Sequence, residues 1–162
     1  MRTGDLSTKA KYRKIFSDVS DLLDQGTIPV KMSEYSYKLI QQTDWFTIKE
    51  QRQKNAQKLI EIFKRNSINL VQDKSGLCDL YVAFTVSNRD KIQSILSQKG
   101  IFNTVIWPLR KEQQEACNVA EKTCSTMLAA PCDQRYTIAD MEYIGEEIAR
   151  VINEEKNNDS WC

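Results

Sequence analysis

The chain has 162 residues, of which 41% are hydrophobic and 28% charged. A chain of this length buries about 70% of the surface that its unfolded form exposes, enough for one domain with a core. Its 23 Lys and Arg balance 22 Asp and Glu, giving a net charge of +1, which argues against a nucleic acid or a membrane as its main partner. The lack of any His excludes Ser–His, Cys–His and imidazole–metal chemistry.

The cysteines indicate a reducing compartment. They are an odd number and form no C-x-x-C pair: Cys78, Cys117, Cys124, Cys132 and Cys162. The first residues are basic and polar, and no run approaches the roughly 20 apolar residues that a membrane span needs. We therefore expect a cytoplasmic protein with reduced thiols and no metal site.

The N-terminal part predicts a helical arm. Apolar residues recur there at helical spacing, and Gly26 and Pro29 follow them: Ile15, Phe16, Val19, Leu22 and Leu23. Ser33 is placed to cap a short helix after the arm.

A long helix is predicted next, starting at a capping box formed by Thr47 and Glu50. Its inward face would carry two polar residues, Arg52 and Asn55, between apolar ones. Either these side chains bind carbonyl groups of a nearby loop, or they contact a ligand. The first interpretation is favoured, because any buried polar group needs a partner.

The rest of the chain alternates strands and helices. Strands are predicted at 68–72, 80–86, 101–107 and 126–130, and helices at 88–100 and 111–123, with the strand at 80–86 in the centre of the sheet. A final helix is capped by Thr137 with Asp140 and should pack an apolar stripe on that sheet: Ile138, Met141, Ile144, Ile148, Val151 and Ile152. The predicted class is α+β, a small mixed or antiparallel sheet covered by helices, with an N-terminal helical arm.

Three segments carry a resemblance to a known family. They are residues 32–59, the order of elements from Asn88 to Pro108, and residues 128–144, which contain the run Pro-Cys-Asp-Gln-Arg-Tyr-Thr. In this order they resemble the C-terminal small domain of fold-type-I, pyridoxal-phosphate-dependent aminotransferases. The resemblance is to the sugar aminotransferase group DegT/DnrJ/StrS. It implies a helical arm and interdomain joint at 1–46, the small domain at 47–156 and a tail at 157–162.

The resemblance also limits what this chain can do. In that family a large domain supplies the Schiff-base lysine and most contacts to pyridoxal phosphate, and no lysine here has a matching sequence context. We therefore expect no cofactor bound covalently to this chain and no catalytic residue in it. Two functions remain open: a small domain that closes over a substrate site supplied by a large domain, or a non-catalytic interaction module that retains the scaffold.

Two arginines are candidate substrate-binding residues. Arg135 follows a strand that ends in a proline, where its guanidinium could pair with an anionic substrate or a phosphate. The alternative is that Arg135 fixes the strand-to-helix turn by binding carbonyls or carboxylates. Arg110, just after Trp107 and Pro108, is a weaker candidate of the same kind.

The resemblance also predicts association. Residues 12–23 and 35–46 are similar to elements that pack on the large domain in that family, so alone they would leave an apolar patch larger than a monomer tolerates. The expected partners are a large aminotransferase domain or further copies of this chain.

Overall fold

A computed structural model of the chain describes residues 6–26, 31–71, 74–76, 79–106, 109, 113 and 117–159. The chain divides into two units, Met1–Thr43 and Asp44–Cys162. Six helices and three strands lie in the described residues: α1 Leu6–Asp24, α2 Glu34–Gln42, α3 Trp45–Arg65, β1 Asn69–Leu70, β2 Tyr81–Thr85, α4 Arg89–Gln98, α5 Asn118–Thr126, β3 Met127–Pro131 and α6 Ile138–Asp159. The predicted α+β class with an N-terminal helical arm is confirmed.

The first unit consists of α1 and α2. Gly26 follows α1 with a φ of 81°, and Ser33 begins α2 by accepting a hydrogen bond from the backbone N of Ser36 at 3.1 Å. Both predicted boundaries are confirmed, whereas Pro29 lies outside the described residues. None of the side chains described in this unit is buried.

The second unit is built on an antiparallel sheet with the order β1-β2-β3, so β2 is central as predicted. Ala83 of β2 pairs with Ala129 of β3. The strand predicted at 101–107 is wrong over its described residues: only Thr104 pairs, also with Ala129. The carbonyl of the neighbouring Asn103 accepts a hydrogen bond from the Gln93 side chain at 2.9 Å.

Two helix starts show how local chemistry sets the boundaries. Thr137 and Asp140 form the predicted reciprocal cap, with the Thr137 N to Asp140 Oδ2 distance at 2.8 Å and the Asp140 N to Thr137 Oγ1 distance at 3.2 Å. The predicted box of Thr47 and Glu50 is wrong, because α3 already begins at Trp45. Asp44 caps it by accepting from the backbone N of Thr47 at 3.1 Å, and Asp serves in this role as well as Thr.

The core lies between the sheet and helices α3, α4 and α6. Phe63 of α3 and Phe84 of β2 are fully buried, with ring centroids 4.9 Å apart. The stripe of α6 is buried in the same core at Met141, Ile144, Ile148, Val151 and Ile152, as predicted, whereas Ile138, which the prediction included, is only partly buried. The stripe joins the same buried cluster as Val82 and Phe84 of the central strand, and α6 also runs close to α3 and α4.

The close approach of α6 to α3 depends on Gly145. A Cβ atom at this position would lie 2.9 Å from Cδ1 and 3.1 Å from Cγ2 of Ile62. Ion pairs flank the contact, among them Lys58 with Glu142 at 3.0 Å. No helix among the described residues is long and apolar enough to cross a membrane.

Candidate functional site

The loop of residues 132–137 joins β3 to α6 and carries the predicted site residue Arg135. Asp133 organises this loop. Its Oδ1 accepts hydrogen bonds from the backbone N of Arg135 at 2.9 Å and from Nε at 2.8 Å, and its Oδ2 accepts from Nη2 at 2.7 Å. The loop is therefore closed by a bidentate pair combined with a turn of the Asx type.

The opposite charges of Asp133 and Arg135 stabilise each other. The hydrogen bond from the Arg135 guanidinium holds the pKa of Asp133 below its ordinary value, against the opposing effect of burial. Asp133 in turn raises the pKa of Arg135. The Asp133 side chain is 9% exposed and the Arg135 side chain 76% exposed. The anion of the pair is therefore buried, and the cation faces solvent.

Helix α3 holds this loop through Asn55, whose side chain is fully buried. Its Nδ2 donates to the carbonyl oxygens of Asp133 and Tyr136, both at 2.9 Å. Gln51 supports it, because its Nε2 donates to Asn55 Oδ1 at 3.0 Å and to the Tyr136 carbonyl at 3.1 Å. The interpretation that Asn55 binds loop carbonyls is confirmed.

Arg52 reaches the same loop by a different route. Its Nε donates to Oε1 of the Gln134 side chain at 2.7 Å. The two polar residues on the inward face of α3 thus both fix the 132–137 loop, one through the main chain and one through a side chain.

Cys132 begins the loop and is fully buried. Its backbone N donates to the carbonyl of Leu80 at 3.0 Å, which ties the loop to the start of the central strand. Burial raises the pKa of the Cys132 thiol to about 12. Since only the thiolate is a nucleophile, Cys132 is inert near neutral pH.

A surface groove of about 490 Å³ lies over the loop and the first turns of α3 and α6. It is lined by Thr47, Ile48, Gln51, Gln134, Arg135, Tyr136, Thr137 and Ile138. Asp133 occupies two of the five N–H groups of the Arg135 guanidinium, which leaves three donors. Both roles predicted for Arg135 are chemically compatible: it fixes the turn, and it retains donors for an anion.

This groove does not fit a pyridoxal phosphate held by the chain itself. The described residues that line it include no lysine, so they offer no amine for a Schiff base. A second cavity, of about 370 Å³, lies at the opposite end of β2 and is lined by residues including Lys122 and Lys156. Both lysines are exposed, whereas a Schiff-base lysine needs a desolvated or strongly charged setting. Arg110, Trp107 and Pro108 lie outside the described residues.

Sequence reasoning missed the partner of Arg135. An Asp two residues before a polar turn residue is the pattern of an Asx turn, and the spacing from Asp133 to Arg135 carried that signal. Gln51 and Gln134 were also missed. Gln51 and Asn55 are spaced as an i,i+4 pair on a helix, which was a local signal, whereas Gln134 bonds Arg52, a residue distant along the chain.

Comparisons with known proteins support the fold. A protein from Streptococcus pneumoniae described as a proposed sugar aminotransferase, in its PMP form, matches with a TM-score of 0.66 and 15% identity over 75% of this chain. A DegT/DnrJ/EryC1/StrS aminotransferase from Brucella abortus matches with a TM-score of 0.48 and 20% identity over 65% of this chain. That second score is too low to establish a common fold, so the likeness rests on the first protein.

The likeness covers only part of the other protein. This chain spans 35% of the length of the Streptococcus pneumoniae chain and 30% of the Brucella abortus chain. No protein-family model matches the sequence, and no curated protein matches it. The predicted resemblance to the sugar aminotransferase group is confirmed at the level of the fold.

Proposed function

We propose that this chain is the C-terminal small domain of a pyridoxal-phosphate-dependent, aminotransferase-like protein. It would close over a substrate site supplied by a large domain that the sequence given does not contain. The observation that carries the proposal is the fold, which matches 75% of this chain to about a third of a protein described as a sugar aminotransferase. The cofactor would belong to the large domain, and the chain would act in the cytoplasm.

In this role the chain binds and positions but does not catalyse. Arg135 would pair with an anionic group of the substrate through the N–H donors that Asp133 leaves free. Asp133 and Asn55 would hold the guanidinium in place, because both bind within the 132–137 loop. Closure of the groove would exclude water from the bound substrate and so strengthen this ion pair.

The alternative is a non-catalytic binding or interaction module. It is supported by the bidentate contact between Arg135 and Asp133, which gives the arginine a structural use without any substrate. The exposed apolar side chains of α1, α2 and the start of α3, such as Phe16, Tyr35 and Trp45, suit either function, because both require a partner.

The test joins this chain to the large domain of the Streptococcus pneumoniae protein and measures transamination with amino donors and pyridoxal phosphate. We expect turnover from the fusion and none from the isolated chain. In the fusion, Arg135→Gln should raise KM for the anionic substrate about tenfold or more with a smaller change in kcat. Arg150→Gln, which removes an exposed arginine on α6 paired with Glu147 and Glu154, is the matched control.

Two outcomes would overturn the proposal. A folded fusion that binds the cofactor but shows no turnover would favour the interaction module. Turnover by the isolated chain, with one lysine modified after borohydride trapping and mass spectrometry, would instead make it a complete small enzyme.

A further inference from the structure

The second cavity, at the end of β2 remote from the 132–137 loop, has the size of a small-molecule site. Its volume is about 370 Å³, within the range of roughly 300–1,000 Å³ that such sites occupy. Among the described residues that line it, four are buried and apolar. Hydroxyl and amide groups are supplied by six more: Ser67, Asn69, Thr85, Ser87, Asn88 and Thr126. This lining suits a small polar molecule better than a purely apolar one.

Ser67 holds a backbone position at this cavity where glycine is usually found. It follows α3 with a φ of 53°, and its backbone N donates to the Lys64 carbonyl at 3.1 Å, while the N of Ile68 donates to the Phe63 carbonyl at 2.9 Å. These two bonds form a Schellman motif, whose left-handed residue is most often Gly. Helix α4 ends in the same motif, and there the residue is Gly100, with a φ of 79°. The chain thus has Gly where the motif only ends a helix, and Ser where the residue lines the cavity.

Asn88 departs from a second local rule at the same cavity. It begins α4 with a φ of 52° and makes no side-chain capping hydrogen bond, whereas Ser33 and Asp44 cap their helices through their side chains. Ser67 and Asn88 are the only residues other than Gly with a positive φ in the described part of the chain. A left-handed conformation is costly for a residue with a side chain, and such costs concentrate at functional sites. Both of these residues line the cavity.

Glu155 and two lysines set the charge of the cavity. Glu155 is only 8% exposed, and Lys91 of α4 forms an ion pair with its Oε2, without the geometry of a hydrogen bond. Because this pair is neutral, the remaining charge of the lining is that of Lys122 and Lys156, which are both exposed. A carboxylate accepts hydrogen bonds from hydroxyl groups, and lysines bind phosphate as point charges. The cavity therefore has a hydrogen-bond acceptor in its buried part and two cations at its exposed part.

We propose that this cavity binds the phosphate monoester of a small polyol or sugar. The phosphate pairs with Lys122 and Lys156, and the hydroxyl groups of the ligand bond to Glu155 and to the hydroxyl and amide side chains of the lining. The cavity is larger than a free phosphate ion needs, and none of the described residues that line it is aromatic, so a nucleobase finds no ring on which to stack. The inference goes beyond the proposed function and does not depend on it, since it uses no residue of the 132–137 loop.

Isothermal titration calorimetry of the full chain tests the proposal, with ribose 5-phosphate as the probe. We expect saturable binding with a dissociation constant of about 1 mM or below. Ribose and inorganic phosphate each offer one half of the contacts, so each should bind about tenfold or more weakly than the probe. The proposal is wrong if ribose 5-phosphate shows no saturable binding up to about 10 mM. It is also wrong if inorganic phosphate binds as tightly as the probe, since that result would show a plain anion site.

A double variant locates the binding. Lys122→Gln with Lys156→Gln removes both cations of the cavity, and we expect it to raise the dissociation constant of ribose 5-phosphate about tenfold or more and to weaken its dependence on salt. The matched control is Lys49→Gln with Lys74→Gln, two exposed lysines of the same unit that line neither cavity. It should leave the dissociation constant unchanged. An equal loss in the two double variants would show attraction by general surface charge and overturn the site.

Ser67→Gly separates ligand binding from folding. Because Gly suits the left-handed position, the melting temperature should not fall, whereas loss of the hydroxyl should raise the dissociation constant about threefold or more. Gly100→Ser is the matched control in α4, which should lower the melting temperature and leave the dissociation constant unchanged. An unchanged dissociation constant in Ser67→Gly would overturn the assignment of Ser67 to the ligand. Because none of these measurements involves turnover, their failure is distinct from failure of the aminotransferase proposal.

Discussion

The two units of the chain contain amphipathic helices of similar length, but the apolar face is buried in the second unit and exposed in the first. In the second unit, Leu59 and Phe63 of α3 are fully buried, whereas in the first unit Phe16 and Val19 of α1 are 64% and 50% exposed. Both helices show the spacing that predicts an apolar stripe. The spacing thus predicts that a helix forms. Whether its apolar face is buried depends on which other parts of the structure pack against it.

Helix capping, by contrast, works in the same way in the two units. Ser33 begins α2 and Thr137 begins α6 by the same kind of hydrogen bond, which a backbone N–H donates to the side-chain oxygen. Caps are satisfied within three residues, so they need no partner element. The difference between the units is therefore one of tertiary packing.

The largest effect is expected when one aromatic residue is truncated in each unit and the free energy of unfolding is compared. Phe84→Ala removes a fully buried ring and should lower the free energy of unfolding by about 3–5 kcal/mol. Phe16→Ala removes an exposed ring and should change it by less than about 0.5 kcal/mol under dilute conditions. Urea unfolding followed by circular dichroism measures both, and similar losses would show that the first unit has a covered face.

The next effect concerns the support of the candidate site. Asn55→Ala removes the donor shared by the carbonyls of Asp133 and Tyr136. The Tyr136 carbonyl keeps Gln51 as a donor, whereas the buried bond to the Asp133 carbonyl is lost, and we expect a cost of about 1–3 kcal/mol of the free energy of unfolding. Lys54→Ala, at the exposed neighbouring position, is the control and should cost little. Amide hydrogen exchange should also speed up in residues 133–137; an unchanged rate there would mean that Asn55 does not hold the loop.

A smaller effect probes the contact between α3 and α6. Gly145→Ala improves helix propensity by about 1 kcal/mol but overpacks against Ile62 by about 1–3 kcal/mol, so we expect a net loss near 1 kcal/mol. Adding Ile62→Val removes the atom at 2.9 Å and should recover part of the loss. A double-mutant cycle measures this coupling; simple additivity would place the strain elsewhere.

The smallest effect is on the pH dependence of stability. The pKa of Asp133 is lowered in the folded chain from an ordinary value of 3.8, so its contribution is complete above that value and is lost as the pH falls below it. Asp133→Asn should flatten the fall in unfolding free energy between about pH 4 and pH 2 relative to the unaltered chain. Asp133→Asn with an unchanged slope would show that the Arg135 pair does not persist in solution.

Much of the fold was predictable because its signals are local or periodic. The cap of Thr137, the central strand at 81–85 and the buried stripe of α6 each follow from spacing within one segment. The start of α3 was misplaced, because Asp44 and Thr47 are both good caps and local chemistry does not choose between them. The strand at 101–107 was overestimated, because β-branched residues favour a strand locally, whereas a ladder needs a paired neighbour and only Thr104 among the described residues of this segment pairs.

The candidate site was predictable to a lesser degree. The role of Asn55 in binding loop carbonyls was predicted from its position and is confirmed, whereas substrate binding by Arg135 stays a prediction. The link between Arg52 and Gln134 joins residues 82 positions apart, and no pattern within either segment encodes it. Contacts of this kind appear only when α3 and the loop are brought together in the fold.

Burial of Cys132 has a consequence for observing the loop in solution. A thiol with a pKa of about 12 and no access to solvent reacts with an alkylating reagent only during moments when its surroundings open. Peptide mapping can follow this residue separately from the exposed Cys117. Its alkylation rate then reports how often the 132–137 loop opens. A rate faster than global unfolding means that the loop opens alone, whereas an equal rate means that it opens only when the whole domain unfolds.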